Sequence, residues 1–287
     1  MTELERCVDF IVRLADRAAK TKEPSQYGVA HLNAALPRVW SRNYLFADRD
    51  LSGATAIELA AETDRILGAA GLTHRKVELV DEEAGDRLEP EFRELGWQVE
   101  CDVIMVARRD PDRGVDTSIV DEVPIDELVP VWSFGWQTDP RVQDDDVVRQ
   151  LVENRRVMAA AVDTRFFAGR VDGEIGSYCE LYSEPRIGQI EDVFTLERFR
   201  KRGLARATVT RALDALTRGG PRPHLPDRRP RRLAEGPVRE SWASTRSAAS
   251  GSSCSRASPE RASQYHRRTS KGGNDGPERV LGQTDRR

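Results

Sequence analysis

Apolar positions recur at helical spacing from the start of the chain. Leu4, Val8, Ile11, Val12 and Ala15 predict an amphipathic helix over about residues 3–20. Lys20 to Tyr27, with Pro24, reads as a break. Residues 37–48 then set Trp40, Tyr44 and Phe46 on alternate positions of a short extended segment. Ala54 to Ala70 is helical through Ile57, Leu59, Ala60, Ile66 and Leu67, with Gly71 as its C-cap. Lys76 to Val80 alternates as a strand. Glu82 to Leu95 is helical, interrupted or begun anew near Pro90. Gly96 ends it, and Val99 to Ala107 is a second strand.

Asp110 to Val115, DPDRGV, is a linker by its turn residues. Beyond it, Ser118 to Val123 is a short strand, and Asp126 to Trp132 and Asp144 to Val157 are helices. Asp144, Asp145 and Asp146 suit the dipole at the start of the latter, and Val147, Val148, Leu151 and Val152 form its buried face. The period then shortens. Val157 to Val162 and Arg165 to Val171 are extended, and Asp172-Gly173 signals a hairpin. Glu174 to Tyr182 returns with Ile175, Ser177, Cys179 and Leu181 on one face and Gly176, Tyr178, Glu180 and Tyr182 on the other. Pro185 breaks it, Ile187 to Thr195 is the next strand, and Leu204, Val209, Leu213 and Leu216 recur as a helix.

The junction between that strand and that helix carries the chemistry. Arg200, Lys201 and Arg202 lead into Gly203 and the helix start. The first turn of a helix has amides without internal partners, and its dipole favours negative charge. A glycine there lets a bulky anion approach the backbone. The junction is a candidate site for a phosphate or pyrophosphate; a helix start with a solvated basic turn is the bland alternative.

Charge divides the chain into an acidic body and a basic tail. The net charge is −3, but residues 221–287 hold fourteen Arg and one Lys against seven acids, so residues 1–220 carry −11. The four cysteines, Cys7, Cys101, Cys179 and Cys254, form no C-x-x-C pair and no cluster with histidine. Neither a bound metal nor a disulfide framework is expected. The N-terminus lacks a long apolar run, so a soluble cytoplasmic protein with no membrane partner is the expectation.

R-x-x-G-x-A, at Arg200, Gly203 and Ala205, follows a strand that ends in V-x-T. It resembles the acetyl-CoA pyrophosphate loop of the GNAT family of N-acetyltransferases. The order of elements from residue 118, two helices, a β-meander and a strand–loop–helix, is also similar to a GNAT domain. FRELGW, Phe92 to Trp97, resembles the YxKLGF segment that ends the fourth helix of the family. The resemblance implies an α/β (α+β) fold with a mixed, mostly antiparallel sheet flanked by helices. It divides the chain into a degenerate GNAT-like domain at 1–110, from which no catalysis is expected, a GNAT domain at 111–220, and a tail at 221–287. An unrelated α/β domain is the alternative for the first half.

The resemblance also implies roles. The backbone of Val193, Phe194 and Thr195 pairs with pantetheine. The amides of Arg202, Gly203, Leu204, Ala205 and Arg206 cradle the pyrophosphate, and Arg200 and Lys201 add charge. Acetyl-CoA is the cosubstrate, and the acceptor is a primary amine of a small molecule or peptide. Glu191 is the candidate base. Asp192 points to the other face by strand alternation, and which of the two acids faces the cleft stays open. A solvated or hydrogen-bonded strand carboxylate is the competing reading for both. Tyr178 and Tyr182 share a face that either lines the acceptor cleft or packs in the core. The alternative function is a non-catalytic acyl-CoA-binding or regulatory protein.

After Gly219-Gly220 periodicity is lost. The Ser/Ala/Arg-rich tail cannot bury enough apolar surface to order itself, so disorder is expected. A GNAT domain needs a further strand and helix there. Read in shifted frames, permitted codons for Arg222 to Ala249 spell such a strand, a turn, a helix and a YxKLGF-like ending. A broken reading frame near Gly220 is therefore expected, with activity impaired in this form. Clustered Arg also attracts nucleic acid, but Trp242 and Tyr265 are the tail's only aromatics, so nucleic acid is not the expected partner.

Overall fold

The computed structural model describes residues 2–108, 111, 114–139, 142 and 144–217, and the backbone of 241–246 and 252–256. The first half runs α1 (Glu3–Ala18), β1 (Thr21–Ser25), β2 (Gly28–Leu32), β3 (Tyr44–Ala47), α2 (Ala56–Ala69), β4 (Arg75–Leu79), α3 (Glu82–Glu94), β5 (Gln98–Cys101) and β6 (Val103–Ala107). The second runs β7 (Val120–Val123), α4 (Ile125–Gln137), α5 (Asp145–Ala161), β8 (Asp163–Val171), β9 (Glu174–Glu184), β10 (Ile187–Thr195) and α6 (Leu204–Thr217). Two strands follow in the tail, β11 (Ser241–Arg246) and β12 (Ser252–Arg256).

These strands form two six-stranded sheets, ordered β1-β2-β3-β4-β12-β5 and β7-β8-β9-β10-β11-β6. Each is antiparallel except for one parallel pair, β3 with β4 and β10 with β11. The arrangement is the mixed, mostly antiparallel sheet flanked by helices that the sequence predicts.

Local signals explain most elements. Thr2 caps α1 in a reciprocal capping box with Glu5, and Thr55 caps α2 in the same way with Glu58. Gly71 and Gly96 end their helices at φ 72° and 78°. Asp172 and Gly173 sit at φ 52° and 82°, the left-handed pair that a tight hairpin between β8 and β9 needs.

Several expectations are corrected. The stretch read as a break contains β1, with Pro24 inside it. β1 is an edge strand, where a missing N–H need not break the ladder. Likewise α3 runs unbroken through Pro90, held on either side by the fully buried Leu88 and Phe92. Instead of turning extended at Val157, α5 stays helical to Ala161, and it buries Gln150, Asn154 and Met158 one turn apart.

The segment read as one strand, Val99 to Ala107, splits at Asp102. β5 forms the edge of the first sheet and β6 the edge of the second. The sheets therefore do not respect a boundary at residue 110. α1 crosses it too: Cys7, Phe10, Leu14 and Ala18 pack against Met158, Val162, Tyr182 and Ile187 of the second half. Arg13 and Arg17 both pair with Glu184 across this contact, at 2.8 Å and 2.5 Å.

The tail also departs from expectation. β11 lies beside β10 in parallel, and β12 is inserted between β4 and β5. The second sheet thus has a strand where one was expected to be missing, and it covers β10 over Ile187 to Ile190. The rest of the tail lies outside the described residues.

Candidate active site

β9 and β10 pair antiparallel, with Glu180 opposite Glu191 and Tyr182 opposite Gln189. Directly opposed residues share a sheet face, so both acids lie on one side. The register then shifts between Glu191 and Phe194, and pairing resumes with Phe194 opposite Tyr178. Asp192 lies inside this bulge at φ 51°. A bulge changes the direction of side chains along a strand. The alternation expected for Asp192 therefore fails: its carboxylate joins the acids on the α5 side instead of the opposite face.

Arg155 of α5 makes this plain. Its Nη2 lies 2.8 Å from Asp192 Oδ2, and its Nη1 lies 3.4 Å from Glu180 Oε1. The guanidinium also lies over the rings of Trp132 and Trp136, at 5.7 Å and 5.6 Å from their centroids. Tyr182 donates its hydroxyl to Glu180, and Gln189 donates its amide to Glu191 Oε1. Glu191 Oε2 is buried and has no hydrogen-bond partner among the described residues.

Three carboxylates face one guanidinium here, and all three acids are buried. Burial raises Glu191 well above the ordinary carboxylate range, and Asp192 and Glu180 raise it further. Burial also lifts Glu180 to about 7, against the pull of Arg155. Tyr178 and Tyr182 are pushed far up by burial, so both stay protonated. Tyr178 packs in the core against Trp132 and stacks on Phe194 at 5.6 Å.

The backbone beside the cluster is open. β11 pairs with β10 only over Ile187 to Ile190. From Glu191 to Thr195, β10 has no partner strand on that side among the described residues. Such an edge can accept an extended ligand as a further strand. Val193 is buried towards α6, Phe194 and Thr195 are half-buried, and Thr195 Oγ1 has no partner.

The expected loop follows at once. The amide of Leu196 bonds to the Gly176 carbonyl at 2.9 Å, and a short 3-10 turn covers Glu197–Phe199. Arg200 Nε donates to the Thr195 carbonyl at 3.3 Å. Lys201 and Gly203 then take left-handed φ values of 63° and 80°. The first backbone bond of α6 runs from the Ala207 amide to the Gly203 carbonyl, at 3.0 Å. None of the amides from Lys201 to Arg206 donates to a backbone carbonyl among the described residues. Arg200, Lys201, Arg202, Gly203 and Arg206 are exposed around them. Leu204 is buried and Ala205 half-buried, so these two contribute amides, not side chains, to the turn. Arg202 lies over the Phe199 ring, 5.6 Å from its centroid.

The sequence model of the acetyltransferase (GNAT) family matches residues 126–224. The chain carries a GNAT acetyltransferase domain. A match to that family implies acyl transfer from an acyl-CoA. A GCN5-related N-acetyltransferase from Kribbella flavida superposes with a TM-score of 0.55 at 13% identity, over 89% of this chain and 95% of its own. A functionally unknown conserved protein from Staphylococcus epidermidis ATCC 12228 superposes with a TM-score of 0.52 at 10% identity, over 82% and 93%. At these identities the likeness is one of fold, and it extends beyond the GNAT domain into the first half. No curated protein matches the sequence. No helix among the described residues is long and apolar enough to cross a membrane.

The sequence expectation named Arg200 to Arg206 of the loop and Glu191 of the acid cluster. It did not single out Arg155, Glu180, Trp132 or Trp136 for a role. Glu180 carried a legible signal, since it alternates onto the face of Tyr178 and Tyr182. Arg155 carried none: one arginine among several on a polar helix is chosen only by packing.

Proposed function

We propose that the GNAT domain is an N-acetyltransferase that moves an acetyl group from acetyl-CoA to a primary amine of a small molecule or peptide. The observation that carries this reading is the unpaired edge of β10. It lies between a buried acid cluster and a run of amides without backbone partners. Acetyl-CoA supplies a thioester: an N–C bond forms as the C–S bond breaks, the amine gives up a proton, and the thiolate takes one up.

The residues fit that group. Val193 to Thr195 offer backbone donors and acceptors along the open edge, and the orphaned Thr195 hydroxyl lies among them. The amides of Arg202 to Arg206 suit a pyrophosphate, with Arg200 and Lys201 beside them. Glu191 takes the proton from the incoming ammonium. Burial raises its proton affinity, so it holds a proton taken from an amine more readily than an exposed carboxylate does. Glu180, opposite it in the ladder, is coupled to the same proton balance through Arg155 and Asp192.

Calorimetric titration with acetyl-CoA, paired with release of CoA thiol across a panel of amines, tests the reading. Glu191→Gln should lower kcat by about 100-fold or more while acetyl-CoA affinity holds. Acetyl-CoA binding with no amine-dependent thiol release would instead favour a non-catalytic acyl-CoA-binding protein. Failure to bind acetyl-CoA at all would remove both readings.

A further inference from the structure

Resting on the N-acetyltransferase reading, we propose that the acid cluster of β9 and β10 selects the acceptor: it takes an alkylammonium, a primary amine that arrives as a cation with no carboxylate beside it.

The argument is one of charge balance in a buried place. Glu180, Glu191 and Asp192 converge on one face, and Arg155 pairs with two of them, Glu180 and Asp192. A surplus of buried carboxylate must be neutralised by protons or by an incoming cation. The protein keeps the surplus where it would be simple to remove, since a glutamine at 191 would satisfy Gln189 and carry no charge. Glu191 is 7% exposed, and its Oε2 has no partner among the described residues. That oxygen is an acceptor with nothing donating to it, beside the open edge of β10. An ammonium has three donors and no acceptor, so it suits such a group.

The walls support the same ligand. Trp132, Trp136, Tyr178 and Phe194 belong to one apolar cluster, which Arg155 joins to the acids. Trp132 and Trp136 already hold one cation, the Arg155 guanidinium, over their faces. An alkyl chain behind the ammonium would lie against this surface. A zwitterionic amino acid would bring a further carboxylate towards three others. Burial raises the proton affinities of Glu180 and Glu191, and the neighbouring acids raise them further, the direction that an incoming cation would oppose.

The test uses the full chain saturated with CoA, which binds without reacting. Butylamine and 1,4-diaminobutane are titrated beside glycine and β-alanine. The alkylamines should bind at least about tenfold tighter than the zwitterions. Glu191→Gln should weaken butylamine by about tenfold and leave the CoA dissociation constant unchanged. Asp192→Asn serves as a second variant should Glu191→Gln not fold. Equal binding of zwitterions and alkylamines, or unchanged butylamine affinity in the folded variants, overturns the proposal. Acetyl transfer to amino acids in preference to alkylamines also overturns it and leaves the acetyltransferase standing. Alkylamine binding without transfer in acetyl-CoA supports the cation site and removes the acetyltransferase reading instead.

Discussion

Arg155 and Asp192 form an ion pair of 2.8 Å, and Asp192 lies in the bulge where β10 leaves its register with β9. The charge on α5 therefore holds the irregularity that opens the strand. Arg155→Met leaves Glu180 and Asp192 buried with no counter-charge. Breaking a buried pair from one side costs about 3–5 kcal/mol. Urea unfolding at pH 7 should show a loss of that order. The loss should shrink at pH 5, where more of the cluster is protonated. An unchanged midpoint at pH 7 would show that the pair does not hold the bulge.

Gly203 has open space around the position a Cβ would take, but its φ of 80° strains any other residue. Gly203→Ala should therefore fold at a cost of about 1–2 kcal/mol. Gly203→Asp adds a carboxylate beside the same amides and should abolish acetyl-CoA binding. Thermal unfolding and calorimetry on the two variants separate strain from charge. If the Asp variant still bound acetyl-CoA, the loop assignment would be wrong.

Glu180 gives a pH dependence of stability with a definite sign. Its folded value, raised by burial to about 7, lies above the ordinary carboxylate value of the unfolded chain. Between the two the folded state binds the additional proton, so its contribution to stability falls as pH rises. Glu180→Gln should flatten this part of the profile. Urea midpoints of wild type and variant, measured from pH 4.5 to 7.5, should diverge as pH rises.

The first half holds the opposite case. His74 is buried, stacks on Trp40 with ring centroids 5.1 Å apart, and donates from Nε2 to the Asn43 carbonyl at 2.8 Å. Burial pushes its imidazole down to about 4. The unfolded chain binds that proton near its ordinary value of 6.5, so stability is lost as pH falls from there towards 4. His74→Phe should remove this acid-side loss. Trp40 fluorescence, with the other tryptophans replaced, reports on it.

The loop was legible because its signals are local. A basic turn, a glycine that takes left-handed φ, and a helical period within a few residues fix the strand–loop–helix wherever it packs. Glu191 was legible through its place on the strand. The orientation of Asp192 was not. Alternation assumes an unbroken ladder, and the bulge is set by pairing with β9 and by Arg155 from α5. The unbroken α3 and the longer α5 were missed for a related reason: packing of Leu88, Phe92 and Met158 overrides local propensity.

By itself, the sequence determined the order of elements in the GNAT domain and the glycine-containing turn before α6, since periodicity and glycine conformation act over a few residues. Only the tertiary structure decided which strands meet: β6 crossing to the second sheet, β11 beside β10, and β12 between β4 and β5. It also decided that two buried carboxylates, Glu180 and Asp192, share the Arg155 guanidinium with Glu191 beside them. Strand partners and buried charge are settled by contacts between residues far apart in the chain, and no local pattern encodes those.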